Sequence, residues 1–317
     1  MPFLPVGGQA VIEGVMMRSP SRVAVAVRRP DGTIEVMERA FRSVTAGNRL
    51  LGLPIVRGAV SLFETLYLGI TALNWSAEEA TREEKPAGAK SASSAKGAAM
   101  TSALQGISLL ISLALGAFVF LFLPARLTTW LGVHGRMGFG LVDGGIRLAF
   151  FVLYLLLISQ WREMARVLGY HGAEHKAIHA LEQRAPLTPE SVQSFTRFHP
   201  RCGTTFLFIV VLISIVIFTL IGRPTSIGQH LARFASMPLI AGVAFELIRL
   251  SGRYADRAWV RAITWPGIQF QRLTTREPDL SMCEVAIAAL ERVRSDEAVL
   301  RLERAETPVM AEVAFIQ

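Results

Sequence analysis

Residues 204–222 run from Thr204 to Gly222 without one charged side chain, and their centre reads Phe206-Leu207-Phe208-Ile209-Val210-Val211-Leu212-Ile213. A helix needs about 20 apolar residues to cross the hydrocarbon core of a bilayer, and few other structures can bury such a run. Three further stretches have the same character. One spans 103–123 and is expected to end at Pro124; one spans 141–161, with Asp143 and Arg147 near its start and Trp161 at its exit; one spans 234–250, is interrupted by Pro238 and carries Glu246. Half of all residues (51%) are hydrophobic and the mean hydropathy is +0.41, which excludes an ordinary soluble composition. The expected fold class is mainly α: about four transmembrane helices between 101 and 250, with soluble modules at either end. Asp143, Arg147 and Glu246 are expensive in lipid and should face protein or water, or sit at the interface.

Positive charge gives the chain an orientation. Arg162, Arg166, Lys176, Arg184, Arg197 and Arg201 lie between the second and third spans. Arg249, Arg253, Arg257 and Arg261 follow the fourth, and Lys85, Lys90 and Lys96 precede the first. The opposite loops offer only Arg126 and Arg136, and Arg223 and Arg233. By the positive-inside rule both termini and the 162–203 segment are cytoplasmic, as four spans require. The net charge of +8 then reads as anchoring on anionic headgroups. No basic–aromatic motif accompanies it, so nucleic acid is not an expected partner.

Residues 1–54 read as a small cytoplasmic module containing a β-hairpin. Val23, Val25 and Val27 alternate, Pro30-Asp31-Gly32 supplies a turn, and Ile34 and Val36 resume extended character, with Ala10-Val11-Ile12 as a third strand. Glu13 and Arg18 lie between strands and read as an ion pair. No cationic start followed by an apolar run suggests a signal peptide. Residues 55–81 are apolar but carry Arg57 and Glu64, as an amphipathic helix on the membrane or packed beneath the spans would, with a re-entrant segment as the alternative. Residues 82–100, rich in Lys, Glu, Ala, Gly and Ser, read as a flexible linker. In the segment 251–305, Trp265-Pro266-Gly267 marks a break. Ser281 and Glu284 fit a capping box opening an amphipathic helix to about residue 304, which would dock on the N-terminal module. The tail 306–317 is expected to be loosely ordered.

Two polar clusters carry the chemistry. His171-Gly172-Ala173-Glu174-His175-Lys176-Ala177-Ile178-His179-Ala180-Leu181-Glu182 holds three of the six histidines. At about 100° per residue, His175 lies roughly 40° around a helix from His171, His179 roughly 80° and Glu182 roughly 20°, with Glu174 about 60° the other way. Histidines at i and i+4 can share one ion, and His171-Gly172-Ala173-Glu174-His175 fits the H-x-x-E-H pattern of inverted zincins. The alternatives are solvated surface histidines or a proton relay. The second cluster, His199-Pro200-Arg201-Cys202-Gly203, spaces an imidazole and a thiol as H-x-x-C on a loop that Pro200 keeps from being helical. With two cysteines in the chain, a disulfide framework is not expected. Cys202 reads either as a ligand or as a small residue packed at a helix start. Arg201 reads as an anion clamp or as a charge at the membrane surface.

Four motifs in order, Gly8-Gln9-Ala10-Val11-Ile12-Glu13-Gly14-Val15-Met16-Met17-Arg18, Tyr170 to Lys176, His199 to Thr204, and Gln271-Arg272-Leu273-Thr274-Thr275-Arg276-Glu277-Pro278, resemble the YqhQ-like family. These are bacterial membrane proteins of unknown function, often labelled predicted metal-dependent enzymes. The resemblance covers nearly the whole chain and implies a bacterial inner-membrane location. It places His171, Glu174, His175, His199 and Cys202 in family motifs and leaves His179 outside them.

The leading expectation is an enzyme with a cytoplasmic-facing metal, zinc first among divalent candidates. His171, His175 and either His199 or Cys202 would ligate it; Glu174 would be the general base and Arg201 would stabilise developing negative charge. The reaction would be hydrolysis of a peptide, ester or phosphoester at the membrane surface. If all four ligands bind, the shell closes and the site is structural. That is the second reading, a membrane scaffold or assembly factor with a protein partner or a second copy of itself. A third is an oligomeric transporter with Asp143, Arg147 and Glu246 along its path.

Overall fold

The computed structural model describes residues 6–82, 95–200, 202–254 and 257–295. The chain begins with a four-stranded antiparallel meander. Its strands are β1 (Gly7–Val11), β2 (Gly14–Arg18), β3 (Arg22–Arg28) and β4 (Ile34–Ala40), paired in sequence order. The expected hairpin is β3–β4, and the third expected strand is β1. The stretch from Glu13 to Arg18 is not a loop: Gly14–Arg18 is a strand, and Ile12-Glu13 makes its tight turn from β1, with Glu13 at φ +50°.

The sheet is buried on both faces, which is why Val23-Ala24-Val25-Ala26-Val27 is apolar at every position. Val15, Met17, Ala24 and Ala26 meet Tyr170, Ala173 and Ala177 of α5 (Arg162–Glu182) and Met282, Val285 and Leu290 of α11 (Leu280–Arg294). The opposite face, with Val11, Met16, Val23, Val25 and Val27, meets Leu68, Ala72 and Trp75 of α1 (Val56–Ala80). Thus α11 docks on the N-terminal sheet, as expected of an amphipathic C-terminal helix. Its cap differs from the expected one: Asp279, not Ser281, accepts from the N–H of Met282 at 2.8 Å, and the helix stops at Arg294 rather than near 304.

Among the described residues, five helical segments are long and apolar enough to cross a membrane: Val56–Ala80, Gly106–Trp130, Arg136–Ser159, Gly203–Ile221 and Ile227–Ser251. The chain is therefore a multi-pass membrane protein with one candidate beyond the four expected. Pro124 does not end the first expected span. Helix α2 (Ala95–Ala117) passes through a π-helical turn at Phe118–Phe122 into α3 (Leu123–Trp130), where Pro124 occupies a first-turn position that needs no N–H. Helix α4 is Arg136–Ser159, and α7 is Gly203–Ile221 after the short α6 (Pro189–Gln193). The last span is two helices, α8 (Ile227–Ala235) and α9 (Met237–Arg253), that meet just before Pro238.

Helix α10 (Ala258–Thr274) runs through Trp265-Pro266-Gly267 without the expected break. A Cβ at Gly267 would lie 2.8 Å from Thr205 Cγ2, so this glycine serves close approach to the start of α7. The linker expected at 82–100 lies outside the described residues as far as 94, and from Ala95 it is helix. The tail from 306 and Arg201 also lie outside the described residues.

The chain divides into two compact units. The first holds the sheet, α1, α5, α6, α10 and α11, with the adjoining ends of α4 and α7 and nearly all of α9. The second holds residues 83–154 and 211–237. Within the second, Gly140 and Gly144 leave room for Thr219 and Ile215, the close helix approach that small residues permit in membranes.

Candidate metal centre

The polar cluster of the sequence is the inward-facing stripe of α5. From Gly172 to Ile178 every residue of this helix is buried, including Glu174, His175 and Lys176. Lys176 is neutralised by Glu277 and donates to the Gln193 carbonyl at 2.7 Å. The other polar groups face one another.

The backbone fixes the tautomers of the first two histidines. His171 Nδ1–H donates to the Thr274 carbonyl at 2.7 Å, and His175 Nδ1–H donates to the Arg197 carbonyl at 2.6 Å. A carbonyl can only accept, so each ring is left with its lone pair on Nε2. Cys202 Sγ stands 3.3 Å from His171 Nε2, and one ligand atom from each of His171, His175 and Cys202 lies within 4.8 Å of the others. Tetrahedral zinc with a thiolate at about 2.3 Å and an imidazole at about 2.05 Å places those two donors about 3.5 Å apart. The donor set and its spacing fit zinc, and the paired carbonyl contacts are the outer support that metal-bound histidines ordinarily carry.

The electrostatics suit the same purpose. Burial lowers His175 to about 4, so its ring is neutral at pH 7. Burial alone would raise the Cys202 thiol, but His175 and the hydroxyl and N–H of Thr204 hold it below its ordinary value. Glu174 is pushed up to about 8 by burial, against the pull of His171 and a hydrogen bond from the Gly8 N–H. Its Oε2 is 3.8 Å from His171 Nε2, beside the three donors. A Cβ at Gly8 would come within 2.9 Å of Glu174 Cγ, so the first motif's glycine makes the space in which this carboxylate sits.

His199 is not part of this triad. It stands with His179 and Glu182, one ligand atom from each again within 4.8 Å of the others. The three-residue spacing of His199 and Cys202 therefore delivers one donor to each of two neighbouring groups. Gln271, fully buried, holds His199 in place. Its Oε1 accepts from the His199 N–H at 2.7 Å, and its amide donates to the His199 carbonyl at 2.6 Å. The fourth motif is thus scaffold: Gln271, the Thr274 carbonyl, the Thr275 carbonyl that receives Arg197 at 2.8 Å, and Glu277 all brace the centre. His179 and Glu182 were legible as the continuation of the stripe at i+8 and i+11; Gln271 carried no signal apart from its motif.

A cavity of about 580 Å³ reaches the first triad. His171 and Thr204 stand in its wall with Leu62, Leu66, Phe206 and Phe245, so its lining is mostly apolar.

The charged residues of the spans are neutralised. Asp143 lies 2.9 Å from Arg147 and 3.3 Å from Arg233, and Glu246 lies 2.6 Å from Arg57. The expected pair of Glu13 with Arg18 does not form. The sheet turn aims Glu13 at Arg166, while Arg18 reaches Glu64 at 3.6 Å.

The family model for a protein of unknown function, DUF1385, matches residues 53–296. A curated relative, the uncharacterised protein YqhQ of Bacillus subtilis (strain 168), is 29% identical over 303 residues, covering 92% of this chain and 93% of the relative. No solved structure matches the chain.

Proposed function

The chain belongs to the YqhQ-like family of proteins of unknown function, and from that premise and the geometry of its centre we propose that it is a zinc-dependent membrane hydrolase. The observation that carries the reading is the convergence of two imidazole Nε2 atoms and a thiol on one point, each imidazole oriented by a backbone carbonyl. A zinc ion bound there supplies Lewis acidity, polarising a carbonyl or phosphoryl oxygen and acidifying water. His171, His175 and Cys202 hold the ion. Glu174, beside them and out of bulk solvent, would be ionised by the adjacent cation and would take the proton from the attacking water and return it to the leaving group. Arg201, next to Cys202 in sequence, is the counter-charge for the developing anion.

The mostly apolar cavity in whose wall His171 stands favours a substrate with a hydrocarbon or apolar peptide segment. We place the centre at the cytoplasmic face of the bacterial inner membrane, where the basic segments meet anionic headgroups.

Zinc-loaded protein in lipid nanodiscs is offered long-chain nitrophenyl esters, long-chain phosphodiesters and a quenched apolar peptide. Turnover of one class by the wild type, falling at least a hundredfold in Glu174→Gln with metal content unchanged, is the expected result. No turnover of any class, or full turnover in Glu174→Gln, contradicts it. One feature favours the scaffold reading instead: Glu174 is near enough to act as a fourth ligand and close the shell. In that case Glu174→Gln weakens zinc retention and the wild type is inert.

A further inference from the structure

The four rings at the centre form one row. His171 and His175 centroids are 4.5 Å apart, His175 and His199 5.6 Å, and His199 and His179 4.8 Å. A thiol and a carboxylate, Cys202 and Glu174, stand beside the His171–His175 half; a second carboxylate, Glu182, stands beside the other, its Oε2 3.6 Å from His199 Nε2. That makes seven donor groups from seven residues, whereas one tetrahedral ion takes four.

We propose that His179, Glu182 and His199 form a second divalent-cation site adjoining the first. Two imidazoles and one carboxylate are the donor set of open, catalytic zinc sites. His179 Nε2–H donates to the Phe198 carbonyl at 2.9 Å, which directs its Nδ1 lone pair to the group, as the carbonyl contacts of His171 and His175 direct theirs. His199, between His175 and His179, is held through its main chain by Gln271, and its Nε2 stands 3.6 Å from Glu182 Oε2. The residues come from two segments already brought together, with nearly two turns of α5 between His175 and Glu182. The site needs no ion in the first triad, and it stands on residues that the proposed hydrolase does not use.

Full-length protein in detergent, stripped of metal, is titrated with Co²⁺ alone. The first site is reported by the thiolate-to-cobalt charge-transfer band that only Cys202 can give; the second contributes weak visible bands and stoichiometry. Two equivalents in the wild type, falling to one in Glu182→Gln and in His179→Gln with the charge-transfer band intact, is the expected result. One equivalent in the wild type with that band intact, or two equivalents persisting in both variants, overturns the second site and leaves the first. Visible bands without charge transfer, lost in Glu182→Gln, uphold the second site and overturn the first.

Discussion

At the scale of the residue, burial decides the charge state of the centre. His175 and His199 lie near 4 because water cannot reach them, whereas in an unfolded chain an imidazole titrates near 6.5. Between those values the unfolded state of the metal-free protein binds more protons, so stability rises with pH and is lost as pH falls from about 6.5 towards 4. Glu174 acts in the opposite sense above about 4.5, since the folded form keeps a proton that the unfolded form releases. Two imidazoles against one carboxyl leave a net loss on acidification of roughly 1.4 kcal/mol per pH unit between about 6.5 and 4.5. The thermal midpoint of metal-free protein should therefore drop across that window. A midpoint that is flat or rises on acidification contradicts buried neutral histidines. The residues of this network were only partly legible in sequence. Periodicity gave the stripe on α5, but the choice of partner for His199 was settled by Gln271, 72 positions away.

At the scale of the element, α1 is the helix whose role composition alone leaves open. Its hydropathy is the lowest of the five candidates, and it touches the sheet module along most of its length. Glu64 accepts from Val44 N–H at 2.7 Å; a Cβ on Gly69 would meet the Gln9 amide; Ser76 Oγ accepts from Ile12 N–H at 3.2 Å; Glu79 pairs with Arg29. Its other side exposes Leu62, Phe63, Leu66 and Tyr67. Because it is tied to the sheet from Glu64 to Glu79, we expect this helix to rest its apolar side in the membrane interface rather than in mid-bilayer.

Parity agrees. The sheet, α5 and α11 share one core, so an even number of crossings separates each from the next. With the two candidate spans between α5 and α11 both crossing, and the two between α1 and α5 crossing as well, an even count requires α1 to return to the side it left, which is the outcome we expect. Single cysteines replacing Arg39 and Thr81, before and after α1, should be labelled by an impermeant maleimide from the same side of sealed inverted vesicles. Labelling from opposite sides would show that α1 crosses. The sequence expectation of an amphipathic helix over 55–81 rests on Arg57 and Glu64, which interrupt its apolar run. Strand β2 did not announce itself: Met16 and Met17 are both buried, one on each face, so the period-2 alternation is missing. The helix through Pro266 was hidden for a different reason, since local turn chemistry was overridden by packing of Gly267 against α7.

At the scale of the whole molecule, the N-terminal sheet serves as a wall for a centre carried by α5. One face of the sheet receives α5, Gly8 at its first strand supports Glu174, and the α10–α11 connection closes over the same helix through Thr274, Thr275 and Glu277. Two of the four sequence motifs, at Gly8 and at Gln271–Glu277, therefore support the motif on α5, and the remaining one brings Cys202 and His199 as candidate donors from outside that helix. The membrane helices and the clusters of candidate ligands could be read from the chain as separate signals. Their connection, through the apolar cavity that ends at His171, depends on tertiary placement and could not.

Zinc X-ray absorption on purified full-length protein tests the central claim most directly. The account predicts a sulfur shell near 2.3 Å together with nitrogen near 2.0–2.1 Å, and loss of the sulfur shell in Cys202→Ser. Cys283 cannot supply it, since that thiol is buried in the core of α11 and donates to Gln193 at 3.1 Å. Protein that retains no zinc, or zinc whose shell is the same in Cys202→Ser, would contradict the account.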